Sequence, residues 1–449
     1  MSNHGNPRRN ADETLEPARK RDPSTHRILR LAASTSLALG VFAVALSLYL
    51  GRESIFREAA AAENSDIKVM TLNQSLGADL ASLLAAPGNL NAALLDLLDD
   101  IAASDFPARA ERQAELIARR LPDLVALQEV WDLSCADLGP SVPGQGCSDP
   151  SIADAFVDQL QVTLEALAAL GADYEAIATV RNLDVTTATL TFNGTTVPLH
   201  GVPFQVNGVP ALLTSSDRDV ILARADTVVD PVPVSFPDDA CLASADGCNY
   251  QATAPVALTT PNGLLEVDFR RGFVAVDATV RGKDYRLVDT HLEIEEPAPG
   301  NPLSRFFQAA QAAELIETLE LTTPPGLTLV VAGDMNSSPE DTPYLNIVPP
   351  YMQFVAAGYT DIWTLRPGAV PGFSCCQDAD LSNKRSMLSE RIDMIFSQEP
   401  PAKVKKPRVV GDRTSDKTPP PGPRLWPSDH GGVVAGLKFT ETYAAADVH

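Results

Sequence analysis

Apolar and polar positions along this chain fall into two rhythms. Short runs of Val, Leu and Ile stop abruptly on a polar residue and read as strands. Longer Ala/Leu-rich stretches carry the spacing of helices. "IKVMTLN" (Ile67 to Asn73) alternates as a strand and stops at Asn73. "LNAALLDLLDDIAASDFPARAERQAELIARRL" then predicts a helix broken near Pro107. "PDLVALQEVW" is an apolar strand ending on Gln128 and Glu129, and a helix is predicted through "AFVDQLQVTLEALAALG". From about Tyr174 to Phe273, β-rich runs alternate with turns: "TATLTFNGTTVPL", "DVILARADTVV", "LLEVDFRRGFVAVDATV". "YRLVDTHLEIE" is a strand ending on His291. The helix "RFFQAAQAAELIETLEL" follows, with Phe306 and Phe307 expected on its core face. "VVAGDMN" is a buried strand that ends by presenting Asp334 and Asn336, and "RIDMIFS" and "HGGVVAGLKF" close the pattern. There is no internal repeat. Many strands are joined through turns rather than helices, which predicts an α+β fold with helices outside a pair of sheets.

One run obeys neither rhythm. "LAASTSLALGVFAVALSLYLG" (Leu31 to Gly51) has no charged residue. It is long enough to cross a bilayer, which takes about 20 apolar residues. Residues 1–30 hold seven cations against four acids, so they are expected to form a disordered tail retained in the cytoplasm. Everything after the run is then exported. The alternatives are a retained anchor and a cleaved signal. The long basic flank, and the distance to the small-residue run "EAAAAE", favour the anchor. Residues 52–65 read as a linker, 66–440 as one domain and 441–449 as a tail.

Of the 449 residues, 45% are hydrophobic but only 6% aromatic, so the core is expected to be built from Ala, Val, Leu and Ile. The net charge of -23 argues against a protein whose affinity comes from a broad basic face. Nucleic acid remains open only as a substrate. Six cysteines suit an exported chain. Cys135 with Cys147, and Cys241 with Cys248, each bracket a short loop and are expected to pair. Adjacent Cys375 and Cys376 either bridge each other or take different partners.

The candidate chemistry lies where the apolar runs stop. Asn73, Glu129, His291, Asp334, Asn336, Asp429 and His430 sit at or just past strand ends, and Asp393 sits inside "RIDMIF". A single acid there is ordinarily a turn former. A set of acids, amides and histidines suits phosphoester hydrolysis. That reaction needs a hard cation on carboxylate oxygens, with Glu129 as first choice, and a base near neutral pH, such as His430 paired with Asp393.

"MTLN", "LVALQEV", "VDTHL", "VVAGDMNSSPED", "RIDMIF" and "WPSDHGGV", in that order from Ile67 to Phe439, resemble the endonuclease/exonuclease/phosphatase superfamily, the DNase I-like group, in an exported bacterial form. The resemblance implies a four-layer α/β/β/α sandwich with the site at one sheet edge. It implies Glu129 as principal Mg²⁺ ligand (Mn²⁺ or Ca²⁺ being alternatives), with Asn73 beside it and Asp429 as a further metal-side acid. His291 and Asn336 would contact phosphate oxygens. Asp334 would orient the attacking water, and His430 would be the essential histidine with Asp393 as its partner. "SSDRDVILAR" departs from the usual strand, so Arg218 and Asp219 are expected either to line the substrate pocket or to form a surface ion pair.

The expected activity is an exported Mg²⁺-dependent phosphodiesterase acting on a small or lipid-derived phosphoester. The alternatives are an extracellular nuclease, a sphingomyelinase-like lipid hydrolase, a phosphomonoesterase and a non-catalytic binding module. A monomer tied to the membrane through its N-terminal segment is expected. The basic segment "KVKKPRVVGDRTSDKTPPPGPR" reads as a lip at the mouth of the site or as a solvated linker. The insertion from about Asn182 to Asn262 is expected to form another wall.

Overall fold

The computed structural model describes residues 66–84, 89–242, 247–253, 256–260, 262–295 and 302–440. Leu31 to Gly51, its basic flank, the linker up to residue 65 and the tail after residue 440 lie outside them. Among the described residues no helix is long and apolar enough to cross a membrane.

The first half runs β1 (Ile67–Asn73), α1 (Ala81–Leu84), α2 (Leu90–Ala103), α3 (Phe106–Arg120), β2 (Leu124–Gln128), β3 (Asp132–Asp137) and α4 (Gln159–Ala169). The α2–α3 break falls where Asp105 caps α3, its Oδ1 accepting the Ala108 N–H at 3.3 Å, with Pro107 in the first turn. A β-rich stretch follows: β4 (Tyr174–Asp184), β5 (Thr189–Phe192), β6 (Thr195–Pro198), β7 (Val202–Val206), β8 (Val209–Arg224), β9 (Val228–Pro233), β10 (Cys248–Asn249), β11 (Val256–Thr260) and β12 (Gly263–Val267). The chain closes with β13 (Gly272–Val280), β14 (Lys283–His291), α5 (Pro302–Thr322), β15 (Thr328–Asp334), α6 (Pro350–Ala356), β16 (Thr360–Asp361), β17 (Asp393–Ser397), β18 (Lys403–Val410) and β19 (Gly432–Lys438).

Two large sheets result. The first is ordered β18-β19-β1-β2-β8, and the 16-residue β8 also carries β3, β4 and β7. The second is ordered β10-β13-β14-β15-β17-β16, with β9 on β13. Their inner faces meet through residues such as Val69, Ala126 and Ile221 against Val276, Leu287 and Val330. Ile117 of α3 and Leu167 of α4 cover the outer face of the first sheet, at Val125 and Leu222. Leu315 of α5 and Phe354 of α6 cover the second, at Val288 and Phe396. The layers are therefore α/β/β/α. Strands buried on both faces need unbroken apolar runs, which is how β2 and β15 read.

Register decides where the polar strand ends go. β1 and β2 run parallel with Asn73 opposite Gln128, and β14 and β15 run parallel with His291 opposite Asp334. β17 is antiparallel to β15, so its first residue, Asp393, faces Asp334. β19 is antiparallel to β1 with Val433 opposite Thr71, so Asp429 and His430 arrive at the same end. Gly333 permits the close approach of β14 and β15. Its φ is 155°, and a Cβ there would collide with the Thr290 carbonyl oxygen.

Several local expectations change. "LLEVDFRRGFVAVDATV" divides between two sheets: β12 joins β11, β5 and β6 in a separate four-stranded sheet, while β13 joins the second large sheet. Phe306 is 54% exposed rather than part of a core face, because it lies on the solvent side of α5. Cys135–Cys147 and Cys241–Cys248 are disulfides as expected, and of the two alternatives for Cys375 and Cys376 the structure has them bridge each other.

Candidate active site

Asn73 closes β1 at full burial. Its Nδ2 donates to Glu129 Oε1 at 3.0 Å and to Asp334 Oδ2 at 3.2 Å, tying the two sheets together. Glu129 follows β2 at a positive φ of 52°, and its Oε2 accepts the Leu76 N–H at 3.1 Å. Positive φ in a residue other than glycine is uncommon; here it turns the carboxylate out of the strand. Glu129 and Asp429 are both half-buried and face the same cleft.

His430 Nδ1 lies 2.9 Å from Asp393 Oδ2. Burial opposes charge on the imidazole. Asp393, then Asp334 and Asp429, outweigh it and hold the His430 pKa well above its ordinary value. With Nδ1–H given to Asp393, the neutral ring presents Nε2 as its basic atom. Nε2 lies 4.0 Å from Cys376 Sγ, so the vicinal disulfide rims the histidine.

His291 behaves oppositely. Burial, the Arg271 guanidinium and the His430 ring hold its pKa well below the usual value. Arg271 Nη1 is 3.0 Å from His291 Nδ1. A guanidinium can only donate, so Nδ1 accepts and the proton of the neutral ring sits on Nε2, 3.5 Å from Asp334 Oδ2. Asp334 is pushed up to about 6, chiefly by burial, which the nearby His430 opposes. Its Oδ1 accepts the Asn336 N–H at 3.0 Å. Asn336 has a φ of 45° and donates one side-chain N–H to the Leu292 carbonyl at 2.9 Å.

The structure thus gathers Asn73, Glu129, His291, Asp334, Asn336, Asp393, Asp429 and His430 at one end of the sandwich. It places Arg218 and Asp219 elsewhere. Arg218 donates through Nε to the Val130 carbonyl at 2.9 Å and pairs with Asp158 at 2.5 Å, behind the segment that follows Glu129. Asp219 is buried between the sheets, accepting from Asn182 Nδ2 at 2.9 Å. Neither lines the cleft. The alternation of a strand already forbids consecutive residues from sharing a face. The first part of the basic segment does not form the expected lip, whereas Lys417, later in the segment, donates to the Ser382 and Asn383 carbonyls. Lys403, Lys405 and Lys406 line a hollow of about 750 Å³ with Arg119, Arg120 and Arg366, next to Lys68 and away from Asn73 at the far end of β1.

Three supporting residues escape sequence reasoning. Arg271 sits in "DFRRGF", where two arginines look like hairpin charges. Ser374 Oγ accepts the N–H groups of Ile392 and Asp393 at 3.2 and 3.1 Å. Ser428 Oγ donates to the Asn73 carbonyl at 2.7 Å and accepts the His430 N–H at 3.0 Å, locking the histidine loop to β1. Only the serine inside "PSDH" carried a signal, by adjacency.

Asp334, Asp393 and His430 bring ligand-type atoms within 4.8 Å of one another. The 2.9 Å hydrogen bond already accounts for His430 and Asp393. A divalent ion fits the other side better. Glu129 and Asp429 turn oxygens towards one cleft beside an amide, and hard oxygen donors suit Mg²⁺.

No curated protein matches the chain. Among solved structures, it is similar to an endonuclease/exonuclease/phosphatase from Beutenbergia cavernae (21% identity, 83% of this chain and 72% of that one, TM-score 0.42). It is also similar to a mannosyl-6-phosphatase from Bacteroides thetaiotaomicron (16%, 83% and 100%, 0.44) and to TDP2 from Caenorhabditis elegans (16%, 82% and 74%, 0.40). Residues 89–430 match the model of the endonuclease/exonuclease/phosphatase family, and with most of its length inside that match the chain belongs to this family.

Proposed function

We propose that this protein is an exported, Mg²⁺-dependent phosphodiesterase that hydrolyses a small or lipid-derived phosphoester. The activities in the family's name all cleave phosphoesters. The observation that carries the finer reading is the pairing, at one sheet end, of an imidazole oriented by a carboxylate (His430 with Asp393) and a separate cleft-facing acid held by a buried amide (Glu129 with Asn73).

Glu129, with Asn73 and Asp429 beside it, would hold the Mg²⁺, which when bound offsets charge on phosphate oxygens. His430 Nε2 accepts the proton of the attacking water, while Asp393 and Asp334 stabilise the imidazolium that forms. Asp334, poised near neutrality, orients that water. His291 donates from Nε2 and Asn336 from its remaining side-chain N–H, both towards the non-bridging oxygens. Export is supported by the disulfides and by the apolar segment before residue 52. That segment also supports membrane attachment. A small substrate is favoured over a polynucleotide because acids crowd the site while a large group of cations lines a separate hollow.

The test is hydrolysis of bis(p-nitrophenyl) phosphate by the full chain with Mg²⁺, beside plasmid DNA. Turnover of the diester is expected to vanish with EDTA and to fall by about 10²–10⁴ in His430→Ala, the range for removing a general base. Near-normal turnover by His430→Ala would overturn the assignment, and preferential nicking of plasmid would replace the small diester with a nucleic acid.

A further inference from the structure

The site opens into a cleft of about 630 Å³ that a small diester would leave largely unfilled. One end is polar: Ser75, Glu129, Asp429, Arg271 and Glu293. Away from that end the walls are hydrocarbon. Leu94 and Leu97 of α2, Leu133 and Leu213 on β3 and β8, and Leu258 and Leu265 of the small sheet line the cleft. Asp79, at the rim, is used locally: its Oδ1 accepts the Ala81 N–H at 2.8 Å and caps α1. Phe307, expected in the core, instead lines this cleft. Among the described lining residues Arg271 is the one cation; its polar contacts are His291, Asp217 and Glu293, and its guanidinium lies 5.1 Å from the centre of the Phe269 ring. A polyanionic strand would find no partner along such walls.

We infer that this cleft holds a hydrocarbon chain of the substrate, so that the phosphoester cleaved belongs to an amphiphile whose headgroup lies at Glu129 and His430. The inference rests on the phosphodiesterase reading and names its substrate class. The cleft is within the usual size of a small-molecule site, and its volume equals that of about 20 water molecules, enough for a chain of many methylenes. The charged end and the apolar end are continuous, and an amphiphile matches both in the same order. The walls come from segments distant in sequence, α2, β8 and the β11–β12 hairpin, so the inserted middle region serves as the wall that gives the cleft its depth.

The experiment is a series of p-nitrophenyl alkyl phosphates, from ethyl to decyl, kept below their micelle concentrations and offered to the full chain with Mg²⁺ in detergent-free buffer. Each methylene transferred from water is worth about 0.8 kcal/mol, so kcat/KM is expected to rise about fourfold per methylene until the cleft is full. Leu258→Arg, a half-buried wall position, is expected to abolish that rise in a chain whose melting temperature stays near that of the wild type. Equal kcat/KM across the series, or a rise that survives in Leu258→Arg, overturns the inference. A calorimetric titration with decylphosphonate separates the two readings. Heat of binding in the wild type but not in Leu258→Arg supports the chain site even if no ester is hydrolysed, a result that would sink only the phosphodiesterase. Absence of binding in both sinks the chain site.

Discussion

At the scale of the residue, Asp393 decides how His430 behaves. The carboxylate accepts Nδ1–H at 2.9 Å and leads the charges that raise the imidazole pKa, against the pull of burial. In Asp393→Asn that negative charge is gone, so the imidazolium loses stabilisation and its pKa must fall. The base is then unprotonated over a wider range, and the acid limb of kcat/KM is expected to move to lower pH. The plateau is expected to drop at the same time, because the ring loses its orienting acceptor and its tautomer preference. KM should change little, since Asp393 touches the histidine rather than the substrate. A profile that keeps its acid limb in place would mean that Asp393 does not tune His430.

At the scale of the element, β8 shows how the segment after Glu129, the proposed metal ligand, is held from behind. Arg218 forks between the Val130 and Trp131 carbonyls and Asp158, and Asp158 caps α4 by accepting from the Leu160 N–H. Arg218→Ala is therefore expected to cost about 1–3 kcal/mol of stability, the usual result of leaving buried acceptors unpaired, and to weaken the apparent Mg²⁺ affinity through Glu129. Arg218→Lys is expected to recover only part of both, because an ammonium cannot reproduce the fork. Thermal denaturation and a Mg²⁺ titration check this; a raised KM with an unchanged melting temperature would instead restore the pocket role. The same element shows what sequence can and cannot say. The six blocks were legible because each candidate residue sits at or near the edge of an unbroken apolar run, and parallel or antiparallel register carries such edges to one place. "DRD" within β8 carried equally good information, since alternation sends Asp217 and Asp219 one way and Arg218 the other. The cleft was not legible, because its lining residues Leu94, Leu133 and Leu258 lie on segments far apart in sequence, the last of them on the small third sheet. Arg271 was hidden for a similar reason: its partners His291, Asp217 and Glu293 lie on other segments.

At the scale of the whole molecule, the sandwich encloses acids as well as hydrocarbon. Asp217, Asp219 and Asp289 are buried between the sheets, and each has one carboxylate oxygen without a hydrogen-bond partner. Burial raises all three. Asp217 reaches about 7 despite the opposing pull of Arg271, while Asp219 and Asp289 go well above the ordinary range. The sign of the consequence follows from linkage. An Asp whose folded pKa exceeds its unfolded value of about 3.9 keeps its proton longer in the native state. Its stabilising contribution is complete below pH 3.9 and is lost as pH rises towards the folded value. For Asp217 the loss falls between roughly pH 4 and 7. His291, held neutral by burial, contributes with the opposite sign, losing stability as pH falls below about 6.5. Comparing wild type with Asp217→Asn cancels that term. In EDTA, so that no ion biases Glu129 nearby, the variant is expected to show a flatter dependence of melting temperature on pH. The amide that replaces the carboxyl group has no charge to desolvate and can still accept a hydrogen bond, so the variant should come close to the wild type near pH 4 and be more stable above pH 7. Parallel curves would mean that Asp217 is already ionised in the native protein, with Arg271 as a full ionic partner across the 3.8 Å between them.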